Sequence, residues 1–206
     1  MSKIGIMGGT FDPIHKGHLQ LAEFVYKDLK LDSVWFMPNA NPPHKDNKKI
    51  VSDAKHRVEM VSLAIRNYPG FKLSTFESEK SETSYTYKTL EELKTIHPND
   101  DFYFIIGTDS LFSILSWVHP EKIFPLATLV VIKRTSDGWS KEDDIRYNDF
   151  VEKLETDYGA KIIVLNHDVI PASSTHIRNM IHTGENLDDF LPKEIIDYID
   201  THDIYE

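Results

Sequence analysis

The sequence contains no cysteine among its 206 residues. That absence excludes a disulfide framework, a thiolate zinc site and a cysteine nucleophile, and it fits a reducing compartment. No apolar run approaches the roughly 20 residues that a membrane helix needs. The opening Met1-Ser2-Lys3-Ile4-Gly5-Ile6-Met7-Gly8 lacks the long apolar stretch of a secretory signal. A soluble cytoplasmic protein with no membrane partner is therefore expected. Positive charge is also in short supply: 23 Lys and Arg stand against 33 Asp and Glu, a formal charge of −10. A chain of that sign is a poor candidate for gripping nucleic acid through phosphates. A local cluster of His, Lys and Arg can still oppose the global field around a small phosphorylated ligand. No repeat, low-complexity tract or linker is evident. The length suits one domain over residues 1–206, with the C-terminal helices from about 173 packed on it, and a core that needs no staple.

What is present is alternation. Short apolar runs at residues 3–8, 34–37, 71–76, 102–106, 129–132 and 162–165 predict strands. Helical spacing predicts helices near 17–29, 53–67, 84–97, 110–117, 150–158, 173–182 and 193–200. Leu21, Phe24, Val25 and Leu29 mark the first helix; His56, Met60, Leu63 and Ala64 mark the second. Residues 39–47 and the charged stretch 137–147 read as loops. Strands alternating with helices predict an α/β fold, a doubly wound parallel sheet with helices on both faces. Ligands in such sheets sit beyond the carboxyl ends of the strands. That rule places residues 8–18, 39–45, 107–109 and 171–178 on one rim.

Five groups on that rim can carry chemistry. Gly8-Gly9-Thr10-Phe11-Asp12-Pro13-Ile14-His15-Lys16-Gly17-His18 joins a strand to a helix. Its glycines let backbone approach a ligand, the helix start offers N–H groups to an anion, and His15 and His18 can project from one face. Read alone, it could also be a tight turn with two solvent-facing histidines. Its spacing fits neither a Walker A loop nor the dinucleotide glycine fingerprint. Ser173-Ser174-Thr175-His176-Ile177-Arg178 is either a plain helix cap or a phosphate grip. Pro42-Pro43-His44-Lys45 stiffens a loop with two cationic donors at its tip. Thr86, at a helix start, and Trp117 could hold a ring that bears a carboxylate, or they could be only a cap and core. No carboxylate is obvious near that position, which suits an acidic ring. Gly107-Thr108-Asp109 could bind a ribose or simply cap a helix. Asp12 is expected to fix its turn.

The eleven-residue string resembles the HxGH signature of the Rossmann-like adenylyltransferase superfamily, and the bacterial nicotinate mononucleotide adenylyltransferases in particular. Ser-Ser-Thr-x-Ile-Arg at 173–178 is similar to the family's second motif, and both motifs occur in order. The resemblance implies a Rossmann-like fold and an enzyme of NAD biosynthesis. Its substrates would be ATP and nicotinate mononucleotide, and its products nicotinate adenine dinucleotide and pyrophosphate. It implies catalytic roles for His15, His18 and Arg178. It puts Gly8, Gly9, Thr10, Phe11, Gly107, Asp109, Ser174 and Thr175 at the nucleotide. It puts His44, Lys45, Thr86 and Trp117 at the acceptor. Mg²⁺ would be held mainly by the ATP phosphates, and no protein metal ligand is named. A homodimer is left open. The competing readings are a related HxGH adenylyltransferase acting on nicotinamide mononucleotide or phosphopantetheine, a metal-dependent hydrolase, and a non-catalytic nucleotide sensor.

Overall fold

The computed structural model describes residues 1–39, 50–80, 83–133 and 139–205. Six strands, β1 (Lys3–Gly9), β2 (Ser33–Pro38), β3 (Phe71–Leu73), β4 (Asp101–Gly107), β5 (Thr128–Lys133) and β6 (Ile162–Asn166), form one sheet in the order β3-β2-β1-β4-β5-β6. Every neighbouring pair is parallel. The expected doubly wound sheet is therefore present, and its order reverses between β1 and β4. That switch point opens a crevice at the carboxyl ends of these two strands.

Side chains alternate across each strand because the strand period is two. Val34, Phe36, Ile105, Val130 and Ile132 enter one core, together with Val25, Met60, Ala64, Ile177 and Ile195. These last five come from the helices α1 (Lys16–Asp28), α2 (Ala54–Ile65), α6 (Ser174–Thr183) and α7 (Lys193–Thr201). Ile4, Ile6, Phe104, Ile106, Leu129 and Val131 face the opposite core. There they meet Leu90, Leu93, Leu111 and Leu154 from α3 (Thr86–Ile96), α4 (Thr108–Ser113) and α5 (Lys141–Tyr158). Among the described residues, no helix is long and apolar enough to cross a membrane.

Several boundaries depart from the sequence expectation. The strand expected over 71–76 ends at Leu73, and a turn follows in which Glu79 N–H donates to the Thr75 carbonyl (3.0 Å). The helix expected from Ser84 begins at Thr86, with Tyr85 at its cap. The helix expected over 110–117 is α4 at Thr108–Ser113 followed by a tight turn, Ile114–Ser116. Much of the charged stretch 137–147 is the start of α5. Ser140 and Asp143 form a reciprocal cap there, and the acidic first turn complements the helix dipole. Tyr147, inside that stretch, is buried. The face of α1 also differs: Leu19, Ala22 and Val25 are buried, while Leu21 and Phe24 are half-buried. Replacing Ser140 by alanine should cost about 1 kcal/mol, the usual worth of such a cap. Urea unfolding reads this directly, and an unchanged midpoint would mean that packing alone holds the start of α5.

Candidate active site

The turn after β1 is built around close approaches. Phe11 adopts a left-handed backbone, φ 51°, which a non-glycine residue holds only when its surroundings impose it. Its ring is buried beneath Gly9, where an added Cβ would lie 3.0 Å from the Phe11 ring. The same ring meets His18 edge-on at 5.1 Å and lies 6.0 Å from Phe36. Gly17 is equally constrained: a Cβ there would sit 3.0 Å from the Ile170 carbonyl oxygen and 3.1 Å from His15 Nδ1. The glycine between the two histidines thus keeps the His15 ring in place.

His15 is the N-cap of α1, and its pairing with His18 is reciprocal. His18 N–H donates to His15 Nδ1 and His15 N–H donates to His18 Nδ1, each at 3.3 Å. Their rings stack at 3.7 Å. A ring nitrogen that accepts a hydrogen bond carries no proton, so in each neutral imidazole the proton belongs on Nε2. Both histidines are thereby set as Nε2–H donors at the positive end of α1. The stacked rings lend a metal-hydrolase reading no support: among the described residues, no three His, Cys, Asp or Glu side chains are grouped to hold a metal ion.

Asp12 does fix its turn, and it does more. Its buried carboxylate accepts from Val51 N–H (2.9 Å), Ser52 N–H (3.2 Å), Ser52 Oγ (2.5 Å) and Tyr205 Oη (2.8 Å). Burial, reinforced by the Asp12 charge, pushes the Tyr205 phenol far above its ordinary range, so it remains a donor. Arg57, fully buried on α2, donates to the Thr10 carbonyl at 2.7 Å. Burial lowers its pKa, against the opposing pull of Asp12, Tyr205 and Asp53. The start of α6 is tied to the same turn: Ser174 Oγ donates to the Pro13 carbonyl (2.9 Å). Arg178 Nη1 donates to the Asp12 carbonyl (2.6 Å) and stands 3.7 Å from its carboxylate, and Nη2 reaches Thr175 Oγ1 at 3.3 Å. The two motifs, some 160 residues apart in the chain, are one hydrogen-bonded unit.

Beside this unit a cleft of about 270 Å³ opens at the switch point. Gly8, Gly9 and Thr10 form one wall, and Thr86, Trp117 and Phe104 contribute to the others. Trp117 meets Phe104 edge-on at 6.2 Å. The cap residue of α3, Tyr85, makes no side-chain cap bond, and the first turn holds no acidic residue. Thr86 therefore sits at a helix start suited to an anion.

Asp109 is exposed and faces a neighbouring hollow of about 290 Å³ with Thr108, Phe112 and Trp139, outside the Thr86–Trp117 cleft. Gly107, also exposed, ends β4. His44 and Lys45 lie outside the described residues.

One expectation fails at the cleft. A carboxyl group does line it: Glu77, whose Oε1 accepts from Thr89 Oγ1 at 2.7 Å. The turn that ends β3 early folds Glu77 back onto α3, a tertiary contact with no periodic signature. Burial raises the Glu77 pKa, opposed by the Thr89 and Ser84 hydroxyls and by Lys80. Arg57, Ser52 and Tyr205 were also not anticipated. For Arg57 a signal existed, since a cation three and four residues before Met60 and Val61 interrupts an apolar helix face.

A turn carrying two paired histidines, joined to a cleft at the switch point of a parallel sheet, stands where doubly wound α/β proteins hold their ligands. A cytidylyltransferase-like family model matches residues 6–180. A probable nicotinate-nucleotide adenylyltransferase of Clostridium botulinum (strain Alaska E43 / Type E3) is 44% identical over 207 residues, covering 100% of this chain and 99% of that protein. Its counterpart from strain Eklund 17B / Type B is 43% identical, with the same coverage. Among solved structures, Plasmodium falciparum nicotinic acid mononucleotide adenylyltransferase complexed with NaAD superposes with a TM-score of 0.77 at 25% identity, over 100% of this chain and 98% of that one. The chain belongs to the nicotinate-nucleotide adenylyltransferases of the cytidylyltransferase-like family.

Proposed function

We propose that the chain joins ATP to nicotinate mononucleotide in the cytoplasm, as a single nucleotidyltransferase domain over residues 1–206. The products are nicotinate adenine dinucleotide and pyrophosphate. The observation that carries this reading is the contact of the cleft holding Thr86 and Trp117 with the turn Gly8–Thr10. An acceptor ring bound in that cleft reaches toward the phosphates of a nucleotide held on the turn.

The reaction needs no protein nucleophile. An oxygen of the mononucleotide's 5′-phosphate, already ionised near neutral pH, forms the bond to the α-phosphorus of ATP while the bond to pyrophosphate breaks. The protein must align the two and offset charge. His15 and His18 supply Nε2–H donors, and the start of α1 adds its dipole. Ser174, Thr175 and Arg178 present the second helix start to the same phosphates. Asp109 and Gly107 are assigned to the nucleotide. His44 and Lys45 are assigned to the acceptor's phosphate. Mg²⁺ carried on the nucleotide would supply further charge neutralisation, and we assign it no protein ligand.

Trp117 serves as the platform for the pyridine ring, and Thr86 with the start of α3 receives its carboxylate. Replacing Trp117 by alanine should raise KM for the mononucleotide about tenfold, the loss of roughly 1.4 kcal/mol of stacking, with KM for ATP little changed. Equal effects on both would mean that Trp117 supports the fold and not the ring. The reading as a whole is tested by pyrophosphate release with ATP and Mg²⁺, offering nicotinate mononucleotide, nicotinamide mononucleotide and phosphopantetheine in parallel. Turnover is expected with the first. Turnover only with another acceptor would keep the phosphate chemistry and discard the roles of Thr86 and Trp117.

A further inference from the structure

We propose that Glu77 is a specificity-determining residue of the acceptor cleft: with its carboxyl group protonated it donates a hydrogen bond to an acidic ring, and once ionised it disfavours that ring. The proposal rests on the acceptor reading given above.

The geometry carries it. Among the described residues that line the cleft, Glu77 is the one bearing an acidic or basic charge; Ile6, Met37, Leu90, Phe104 and Trp117 make much of the remaining wall apolar. A ring carboxylate bound at Thr86 would share this largely apolar-walled cleft with the Glu77 carboxyl. Two carboxylates in one such site cannot both ionise cheaply. A carboxylic acid resolves the conflict and adds a bond. Thr89 Oγ1 donates to Oε1 at 2.7 Å, and the Ser84 hydroxyl also acts on the carboxyl group; a proton on Oε2 makes that oxygen the donor to the ring.

The surroundings favour the neutral form. Burial is the largest influence on Glu77 and raises its pKa. From its own turn, Lys80 pulls the other way. That ammonium is engaged by Glu92 of α3 at 2.5 Å and lies 4.0 Å over the Phe76 ring. From α3, Thr89 and the neighbouring Ser84 hydroxyl also favour ionisation. Tyr85 lines the cleft as a phenol, and β1, β4 and the turn at Trp117 present no ionisable group to it. Because the pKa is raised, Glu77 is protonated on the acid side and ionises as pH rises through the raised value. Acceptor binding should follow the same order: tight at low pH, weaker above.

The test compares the whole protein with Glu77→Gln, a neutral isostere whose carbonyl still accepts from Thr89. KM for nicotinate mononucleotide is measured from pH 5.5 to 8.5 in both, with KM for ATP as a control. The ratio of wild-type to variant KM cancels the titration of the substrate's own phosphate. It should rise with pH, approaching roughly tenfold per pH unit once Glu77 ionises, while the ATP control stays flat. Should the variant fold poorly, calorimetry on the wild type supplies the answer. Binding of nicotinate mononucleotide at the alkaline end should take up about one proton more than binding of nicotinamide mononucleotide, judged across buffers of different ionisation enthalpy. A flat KM ratio, or equal proton uptake for the two ligands, overturns the role of Glu77 while leaving the enzyme's function intact. Failure of nicotinate mononucleotide to bind or turn over would bring down the acceptor reading and this proposal together.

Discussion

Replacing His18 by alanine is expected to lower turnover by about a hundredfold or more, the scale of losing one donor aimed at developing phosphate charge. The structure sharpens why. His18 Nδ1 is occupied by the His15 N–H, so the ring is held with Nε2–H as its outward donor. His18 also stacks on His15 and packs against Phe11. Removing the ring therefore deletes one donor and loosens a second. The fold should survive, because α1 remains anchored by buried Leu19, Ala22 and Val25. Stability should fall by no more than about 1 kcal/mol, the worth of a helix cap. Pyrophosphate release and urea unfolding, measured on the same preparation, separate the two effects. An unchanged rate would remove His18 from the chemistry; a collapse in stability would make it a structural residue.

Asp12→Ala is expected to be the most damaging change to the scaffold of the site. It strands the Val51 and Ser52 amides, leaves the Ser52 and Tyr205 hydroxyls only their mutual contact at 3.2 Å, and removes the carboxylate 3.7 Å from the Arg178 guanidinium, which keeps its bond to the Asp12 carbonyl. Breaking a buried charged cluster by removing one partner costs about 3–5 kcal/mol. Tyr205→Phe deletes one donor and leaves the carboxylate, so it should cost about 1 kcal/mol. Activity should fall in the same order, because the Phe11–Pro13 turn places both histidines. If Asp12→Ala unfolds no earlier than Tyr205→Phe, the carboxylate is not the hub that its contacts describe.

Much of this architecture was legible in the residues. Among the described residues, each of the six strands and seven helices overlaps a segment expected from the sequence, and the parallel arrangement followed from their alternation. Where boundaries slipped, a local device had been overlooked. The Ser140–Asp143 cap starts α5 inside a stretch whose charge reads as loop. The turn after Leu73 halves a strand that its apolar content would have continued to Phe76. In the site, His15, His18, Ser174, Thr175 and Arg178 were visible because each motif is contiguous in the chain. Glu77, Ser52 and Tyr205 were not, because their bonds to Thr89 and Asp12 join residues distant in sequence; Arg57 interrupts an apolar helix face, but its bond to the Thr10 carbonyl could not be read from the chain.

The class of fold and the presence of the two motifs could be read from the residues alone. Strand and helix periods, and the residue types of a helix start, are properties of local chain geometry. It took the folded chain to show that the motifs share one hydrogen-bonded turn, that Asp12 is its hub, and that the half-buried Glu77 carboxyl lines the cleft beside Thr86. Those facts depend on which groups the sheet order brings within about 3 Å of one another away from the surface, and contacts between distant residues leave no mark on local spacing.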